Sequence, residues 1–167
     1  MRSMMMTAAL ALMALTGSPV LAAEPAPAAS TTADQQAITA VINGIADSLN
    51  VLDVPKFAGL HIDTPTILDE FAPFAWSGKD AVKAWLGDFG AWAKASDVAG
   101  THVTFGAPGA MNLAGDRAYA TVPSTITFTS KAGVATATLG QFAFLLVRQG
   151  STWKIAGWAY TRTGTAK

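Results

Sequence analysis

Cysteine is absent from this chain of 167 residues. Its absence excludes disulfide bonds, thiol nucleophiles and thiolate metal sites. It also excludes the lipidated cysteine through which exported bacterial proteins can be tethered to a membrane. The folded protein is therefore expected to depend on the packing of its core alone.

Charge is also scarce, because only 13% of the residues are Asp, Glu, Lys or Arg and the formal net charge is +0. No basic stripe is present that would neutralise phosphates along a nucleic acid, so we expect no nucleic-acid binding. Glycine-rich phosphate loops of the GxGxxG and GxxxxGK(S/T) types are missing too. The chain is therefore expected to work without a nucleotide cofactor.

Motifs for a metal site and for a catalytic serine are likewise missing. The two histidines, His61 and His102, are far apart in the sequence and belong to no HExxH pattern or carboxylate cluster. No Gly-x-Ser-x-Gly element is present, so a Ser-His-Asp triad of that type is excluded. We expect no bound metal and no other cofactor.

The first residues have the features of a secretory signal peptide. Arg2 precedes an apolar stretch from Met4 to Leu15, and small residues follow up to Ala23. This stretch is shorter than the roughly 20 residues that a membrane-spanning helix needs. We therefore predict a signal peptide over residues 1–22, cleaved near Ala22 or Ala23. The mature protein is expected in the periplasm or outside the cell, without a membrane anchor.

A short linker separates this signal peptide from one folded domain. Residues 23–31 combine proline with alanine and other small residues, which is typical of a flexible or extended segment. The domain is predicted to begin near Thr32 and to cover residues 32–164. About 145 residues remain after cleavage, a length that suits a single domain with one core.

Two helices are predicted at the start of the domain. Thr32 and Gln35 fit a capping box, and the apolar residues that follow recur at helical spacing. Asp53 and Pro55 indicate the start of a short second helix, which ends near Leu60. The apolar stripe of the first helix consists of Ile38, Val41, Ile42, Ile45, Leu49 and Leu52.

A third helix is predicted to end near Ala95. Ser77 and Asp80 form a second capping signal ahead of it. Its apolar face consists of Val82, Trp85, Leu86, Phe89 and Trp92.

Strands are predicted between and after these helices. A brief strand covers Thr66–Phe71. From Thr101 onward the apolar residues alternate with a period of two, which predicts strands near 101–107, 117–129, 135–148 and 152–162. Helices followed by such strands indicate an α+β domain with its helices on one face of an antiparallel sheet.

The predicted strand at 135–148 is apolar on both faces. One face is expected to cover the helices, and the other then needs a partner, because large exposed apolar patches usually mark contact sites. We therefore predict a homodimer joined through the sheet. The two faces consist of Phe142, Phe144 and Leu146, and of Ala143, Leu145 and Val147.

Three stretches of the sequence resemble the nuclear transport factor 2-like superfamily, which includes SnoaL-like proteins and ketosteroid isomerases. They are Phe74–Trp85 (FAWSGKDAVKAW), Gly115–Tyr119 (GDRAY) and Trp153–Trp158 (WKIAGW). The resemblance extends from about Thr32 to Arg162. It implies a cystatin-like α+β roll, in which a curved antiparallel sheet wraps around about three N-terminal helices and forms a cone with a pocket.

The same resemblance places Asp69 where the isomerases hold their proton-transferring carboxylate. Burial at an apolar pocket would raise the pKa of such a carboxyl and let it act as a general base near neutral pH. The positions of the isomerase hydrogen-bond donors fall on Ile45 and near Phe144, which are both apolar. Glu70 follows Asp69 on the predicted strand, so we expect it to point to the opposite face and to be solvated.

The resemblance also implies an aromatic pocket for an apolar small molecule. Trp85 falls at a pocket position, and alternation places Tyr119 with Thr121, and Trp158 with Tyr160, on common strand faces. His102 is a candidate for a second acid/base group, although a strand histidine is more often a packing residue. The predicted pocket residues are Ile45, Trp85, Tyr119, Thr121, Phe144, Trp158 and Tyr160.

Three functions fit these observations. The first is an exported domain that binds an apolar small molecule without catalysis. The second is a cofactor-independent isomerase, cyclase or dehydratase that uses Asp69 as its general acid/base. The third is a non-catalytic dimeric accessory module.

Overall fold

The structure, a computed structural model, describes residues 32–166. The predicted signal peptide and linker, residues 1–31, lie outside the described residues. Within 32–166 the chain forms three α-helices, which begin and end close to the predicted positions. They are α1 (Thr32–Asn50), α2 (Val54–Gly59) and α3 (Ala81–Ala95).

Helix α1 buries the predicted apolar stripe against the sheet. Ile38, Ile42 and Ile45 are each at most 1% exposed. The stripe ends with the helix, however, because Leu52 lies in the following turn with φ 55° and is 78% exposed. Asp53 then caps α2, and its Oδ1 accepts a hydrogen bond from the Lys56 backbone N–H at 3.0 Å.

Helix α3 begins without the predicted capping box. Asp80 occupies the N-cap position, but its side chain makes no capping hydrogen bond. Ser77 lies in a short strand instead, where its hydroxyl donates to Thr66 Oγ1 at 3.2 Å. A capping box from Ser77 to Asp80 would start the helix at Gly78, so α3 begins later than that signal indicates.

Residues 32–166 also form one seven-stranded sheet with the order β2-β1-β7-β6-β5-β3, in which β4 pairs with β5. Strand β1 runs parallel to β7, so the sheet is mixed rather than purely antiparallel. The predicted α+β class is confirmed. The strands are β1 (His61–Leu68), β2 (Ala75–Ser77), β3 (Val98–Phe105), β4 (Ala110–Ala114), β5 (Arg117–Ser130), β6 (Ala135–Gln149) and β7 (Thr152–Thr165).

The core fills the space between the helices and the concave face of the curved sheet. On this inner face, small residues of β5 lie opposite large residues of β6: Ala118 faces Leu146, and Ala120 faces Phe144. All four side chains are at most 2% exposed. This pairing of small with large side chains packs this part of the inner face closely.

A bulge in β7 changes which of its residues face the core. The pairing with β6 skips Ala156, since Leu145 lies opposite Gly157 while Leu146 lies opposite Ile155. Ile155 is buried before the bulge, and Trp158 is buried after it. The inward-facing residues of β7 are therefore odd-numbered before the bulge, as Ile155 is, and even-numbered after it, as Trp158 is.

None of the helices within residues 32–166 is both long enough and apolar enough to cross a membrane.

Candidate functional site

A cavity of about 400 Å³ lies between α1, α3 and the inner face of the sheet. Most of its lining is apolar, and it contains both aromatic and aliphatic side chains. Eight aromatic residues line it, and they are Phe71, Trp85, Phe89, Trp92, Phe128, Phe142, Trp158 and Tyr160.

Three of these aromatic rings form a stack along α3. Trp85, Phe89 and Trp92 share one face of the helix because they are four and three residues apart. The Trp85 and Phe89 ring centroids are 5.3 Å apart with planes 16° from parallel, and the Phe89 and Trp92 centroids are 5.6 Å apart at 29°. Phe57 of α2 stacks on Trp85 at 5.6 Å. The stack gives the cavity a rigid aromatic wall.

The charged side chains of the lining are grouped at one end of the cavity, where β1 ends beside β7, whereas the polar Asn50 and Thr101 line it on the side of β3. Leu68, the last residue of β1, lies opposite Ala159 of β7. The residues that follow them, Asp69 and Tyr160, therefore lie side by side. Both line the cavity together with Glu70 and Arg162, and these four residues are called the polar end below.

Asp69 is the most buried carboxylate of the polar end. Its Oδ2 accepts a hydrogen bond from Trp85 Nε1 at 3.0 Å, and its Oδ1 accepts one from the Glu70 backbone N–H at 2.8 Å. Burial raises the pKa of Asp69, and the two hydrogen bonds oppose that rise only in part. The protonated form of this carboxyl is thus favoured more than in an aspartate exposed to solvent.

Glu70 also lines the cavity, contrary to the prediction that it points away from Asp69. Strand β1 ends at Leu68, so strand alternation no longer applies to the two acidic residues. Glu70 Oε1 accepts a hydrogen bond from Arg162 Nε at 3.0 Å and is also paired with Nη2 of the same guanidinium. This ion pair is partly exposed, so it contributes little to stability. It places a neutralised pair of charges beside Asp69.

Tyr160 lies at the polar end with its hydroxyl buried. Its side chain is only 8% exposed, and its ring end packs over Gly140 of β6, where an added Cβ would lie 2.6 Å from the hydroxyl oxygen. The Thr138 hydroxyl, which donates to the Ile126 carbonyl at 3.3 Å, and the Arg162 guanidinium are polar neighbours of this hydroxyl. Burial raises the pKa of Tyr160 above its ordinary value, so this hydroxyl keeps its proton. Buried hydroxyls are rarely left unpaired in native proteins.

Trp158 is held in the cavity wall by a histidine behind it. His61 is the first residue of β1, and it is 6% exposed. Its Nδ1 lies 2.9 Å from the Phe57 carbonyl, and Trp158 Nε1 donates to its Nε2 at 3.2 Å. The carbonyl requires a proton on Nδ1 and the indole requires a lone pair on Nε2, so His61 is neutral. Burial accordingly lowers the pKa of His61 to about 4.

Five of the predicted site residues lie together around the cavity: Ile45, Asp69, Trp85, Trp158 and Tyr160. Ile45 lies on α1, Asp69 directly follows β1, Trp85 lies on α3, and Trp158 and Tyr160 lie on β7. Whether they bind a ligand or act on one stays a prediction.

Four predicted site residues lie elsewhere. Tyr119 is 44% exposed and lies on the outer face with Thr121, because Ala118 and Ala120 occupy the inner face. Phe144 faces inward but is fully buried and does not line the cavity.

His102 is the fourth predicted site residue that does not line the cavity. It is exposed on β3, whereas its neighbours Thr101 and Val103 line the cavity. It is therefore not placed to act as a second acid/base group in this cavity.

The sequence reasoning missed several lining residues for identifiable reasons. Phe89 and Trp92 were assigned to the core because they share the apolar stripe of α3 with Trp85, and the same stripe forms the cavity wall. Phe128 lies near the end of a long alternating strand, where the pattern alone does not distinguish cavity from core. Glu70 was misassigned because the predicted strand extended too far.

No protein-family profile matches this chain, and no curated protein matches it. Solved structures do match it. A scytalone dehydratase-like protein from Novosphingobium aromaticivorans has a TM-score of 0.67 at 15% identity, with 80% of this chain and 87% of that chain covered. Hexachlorocyclohexane dehydrochlorinase LinA-type3 from Novosphingobium barchaimii has a TM-score of 0.68 at 9% identity, with 80% and 89% covered. A ketosteroid isomerase-like protein from Erwinia carotovora has a TM-score of 0.63 at 21% identity, with 80% and 99% covered.

These similarities confirm the fold that the sequence motifs implied. The chain has the nuclear transport factor 2-like fold, in which a curved sheet encloses N-terminal helices. At such low sequence identities the likeness gives the fold alone. Function has to be argued from the cavity itself.

Proposed function

We propose that this protein is an exported domain that binds an apolar, aromatic small molecule in its cavity. The observation that carries the proposal is the cavity of about 400 Å³, with aromatic walls and few polar groups. Ligand sites in proteins have volumes of roughly 300–1,000 Å³ and this combination of apolar walls with few polar groups. Export is inferred from the signal-like residues 1–22.

Titration with naphthalene, followed by ligand-observed NMR, tests the binding proposal. We expect saturable binding to the wild type and at least about tenfold weaker binding to Leu49→Trp, because the larger side chain fills part of the cavity. Leu139→Trp, at a 40% exposed position of the outer face, is the matched control and should bind like the wild type. Equal binding by both variants would place the ligand outside the cavity.

Mass spectrometry of the secreted protein tests export separately. We expect the mature chain to begin at Ala23 or Glu24, which follow the two predicted cleavage positions. A full-length chain retained in the cytoplasm of a bacterial host would contradict this part of the proposal.

A second candidate function is proton transfer by Asp69, as in an isomerase, cyclase or dehydratase. Two observations favour it: burial raises the pKa of Asp69, and this carboxyl lines the cavity. Asp69 would remove a proton from the carbon beside a carbonyl, and the electron pair would move to the oxygen. In a β,γ-unsaturated carbonyl substrate this step gives a dienolate, and reprotonation at its far carbon by the Asp69 carboxyl would then give the conjugated isomer.

Exchange of the α-hydrogens of 1-tetralone in heavy water, measured by NMR, tests this second candidate. We expect protein-dependent exchange that falls by at least about 100-fold in Asp69→Asn, the size of a typical general-base contribution. Asp63→Asn, at an exposed position of β1, is the control and should exchange like the wild type. If the wild type binds naphthalene but shows no exchange, the proton-transfer function is wrong and the binding function stands.

The accessory module without a ligand gains no support from the cavity, because a domain with only a structural role is expected to fill its interior.

A further inference from the structure

We propose that Leu52 lies against the bound ligand at the mouth of the cavity and slows its release. The inference rests on the proposed binding function and adds a residue that determines how tightly and how long the ligand is held. Leu52 lines the cavity, although its side chain is 78% exposed. It therefore marks the place where the cavity opens to solvent, and its apolar side chain is available to a molecule inside.

The backbone of Leu52 is strained by its place just after α1. The Leu52 N–H donates to the Leu49 carbonyl at 3.2 Å. The Asp53 N–H donates to the Ser48 carbonyl at 2.8 Å. These two bonds form a Schellman motif, in which the residue at the position of Leu52 is left-handed and is usually glycine. Leu52 has φ 55°, which is costly for a residue with a Cβ atom, so glycine would relieve the strain.

The neighbouring residues hold this turn in place on both sides. The Asn50 side chain pairs with the backbone of β3, since its Nδ2 donates to the Val103 carbonyl at 2.8 Å and its Oδ1 accepts from the Val103 N–H at 2.7 Å. On the other side, Asp53 caps α2. A strained conformation persists only where the surrounding structure enforces it. These contacts therefore keep the Leu52 side chain at the mouth of the cavity.

Strain combined with an exposed apolar side chain indicates a role in binding. Three non-glycine residues within 32–166 have positive φ, and Leu52 is the one of the three that lines the cavity. The folded protein gains little from burial of this side chain, because most of its surface remains in water. A ligand that fills the cavity up to its mouth would cover this surface and gain the free energy of its burial.

Binding of N-phenyl-1-naphthylamine, a neutral aromatic probe whose fluorescence increases when it leaves water, tests the proposal. Asparagine tolerates the left-handed conformation and is close to leucine in size, so Leu52→Asn removes the apolar contact and keeps the turn. We expect this variant to bind the probe about tenfold more weakly, which corresponds to burial of about half of an exposed leucine side chain. The dissociation rate, measured by stopped-flow fluorescence, should rise by a similar factor. Leu52→Met stays apolar and should bind like the wild type.

Leu52→Gly separates the ligand contact from the backbone strain. Glycine at this position should raise the melting temperature by about 2 °C, because it relieves the left-handed backbone. It should also weaken probe binding at least as much as Leu52→Asn does. A loss of binding together with a gain in stability is a result that a merely structural role of Leu52 would not produce.

Two control variants lie outside the cavity lining. Val51→Ala is the control for an exposed apolar side chain, because Val51 is 74% exposed and is not among the lining residues. Asp97→Gly is the control for the backbone, because Asp97 has φ 58° and does not line the cavity either. Both variants should bind the probe like the wild type.

The possible failures are distinct. If the wild type, Leu52→Asn and Leu52→Gly bind the probe equally, Leu52 does not contact the ligand, and the binding function stands. Equal weakening by Val51→Ala would assign the effect to the whole exposed turn and would overturn the inference. If neither naphthalene nor N-phenyl-1-naphthylamine binds the wild type up to its solubility limit, the proposed binding function itself fails, and this inference fails with it.

Discussion

His61 is a titratable side chain that the fold keeps neutral. Its folded-state pKa is about 4, against 6.5 for an unperturbed histidine, because burial penalises the charged form. Above pH 6.5 neither the folded nor the unfolded state carries the extra proton. As the pH falls from 6.5 towards 4, the unfolded chain binds a proton that the folded protein excludes, so the protein loses stability across this window.

The prediction concerns the pH dependence of stability in His61→Gln. The wild-type protein should lose up to about 3 kcal/mol of unfolding free energy from this residue between pH 6.5 and 4, with a slope approaching about 1.4 kcal/mol per pH unit. His61→Gln lacks this titration. Its deficit relative to the wild type should therefore be largest at neutral pH and shrink on acidification. Denaturant unfolding at a series of pH values measures both.

His102→Gln is the natural control, because the chain has two histidines and His102 is exposed on β3. It should follow the wild-type curve. Asp69 contributes in the opposite sense, since its pKa is raised in the folded state. That contribution is common to the wild type and both histidine variants, so it cancels in the comparison. A His61→Gln deficit that stays constant with pH would contradict the burial of a neutral imidazole.

At the scale of secondary structure, the contact between β1 and β7 depends on a glycine. Gly157 lies opposite Thr66, and a Cβ atom added at Gly157 would lie 2.7 Å from the Thr66 carbonyl oxygen. Backbone cannot move aside as a flexible side chain can. The close approach also holds the end of β1 against β7, where Asp69 and Tyr160 meet.

We therefore predict that Gly157→Ala lowers the unfolding free energy by about 2 kcal/mol, a typical result of overpacking in a core. It should also weaken naphthalene binding, because the two strands that carry the polar end of the cavity are pushed apart. Gly164→Ala in the same strand has no atom within 4 Å of the added Cβ. This control should change stability by less than about 0.5 kcal/mol. Equal losses in the two variants would mean that the β1–β7 contact is not the cause.

Elements with long periodic patterns were predictable, whereas short or interrupted ones were not. α1 and the strands β5, β6 and β7 each extend over at least 14 residues, so their periodicity is unambiguous. β2 has three residues and β4 has five. Strands this short do not show a recognisable alternation of apolar and polar residues. The early start of β1 was missed because its pairing with β7 is a long-range contact.

The side of a strand that faces inward could not be predicted from alternation. Alternation shows that Tyr119 and Ala118 point to opposite faces, but not which face is inside. The large aromatic residue was taken as inward, whereas the β6 residues opposite leave room only for alanine. In β7 the bulge at Ala156 changes the phase, so residues before and after it cannot be read as one face.

At the scale of the whole molecule, the fold was predictable from motifs in the right order, and the candidate site only in part. Trp85, Trp158 and Tyr160 line the cavity, and their contact with a ligand stays a prediction. The polar end was not foreseen as a group, because it depends on the parallel pairing of β1 with β7. Asp69 was singled out by resemblance, but its neighbours Glu70, Tyr160 and Arg162 become a site only in three dimensions.

The outer face of the sheet leads to the last prediction, a homodimer, which we propose from the apolar residues exposed there. Tyr119 lies opposite Leu145, and each is 44% exposed. Size-exclusion chromatography with light scattering should give a dimer at micromolar concentration. Leu145→Lys should shift the protein to monomer, because an interface would bury the new charge without a partner. Val54→Lys, 48% exposed on α2, should remain dimeric. A monomeric wild type would contradict the proposal and leave this face exposed to solvent.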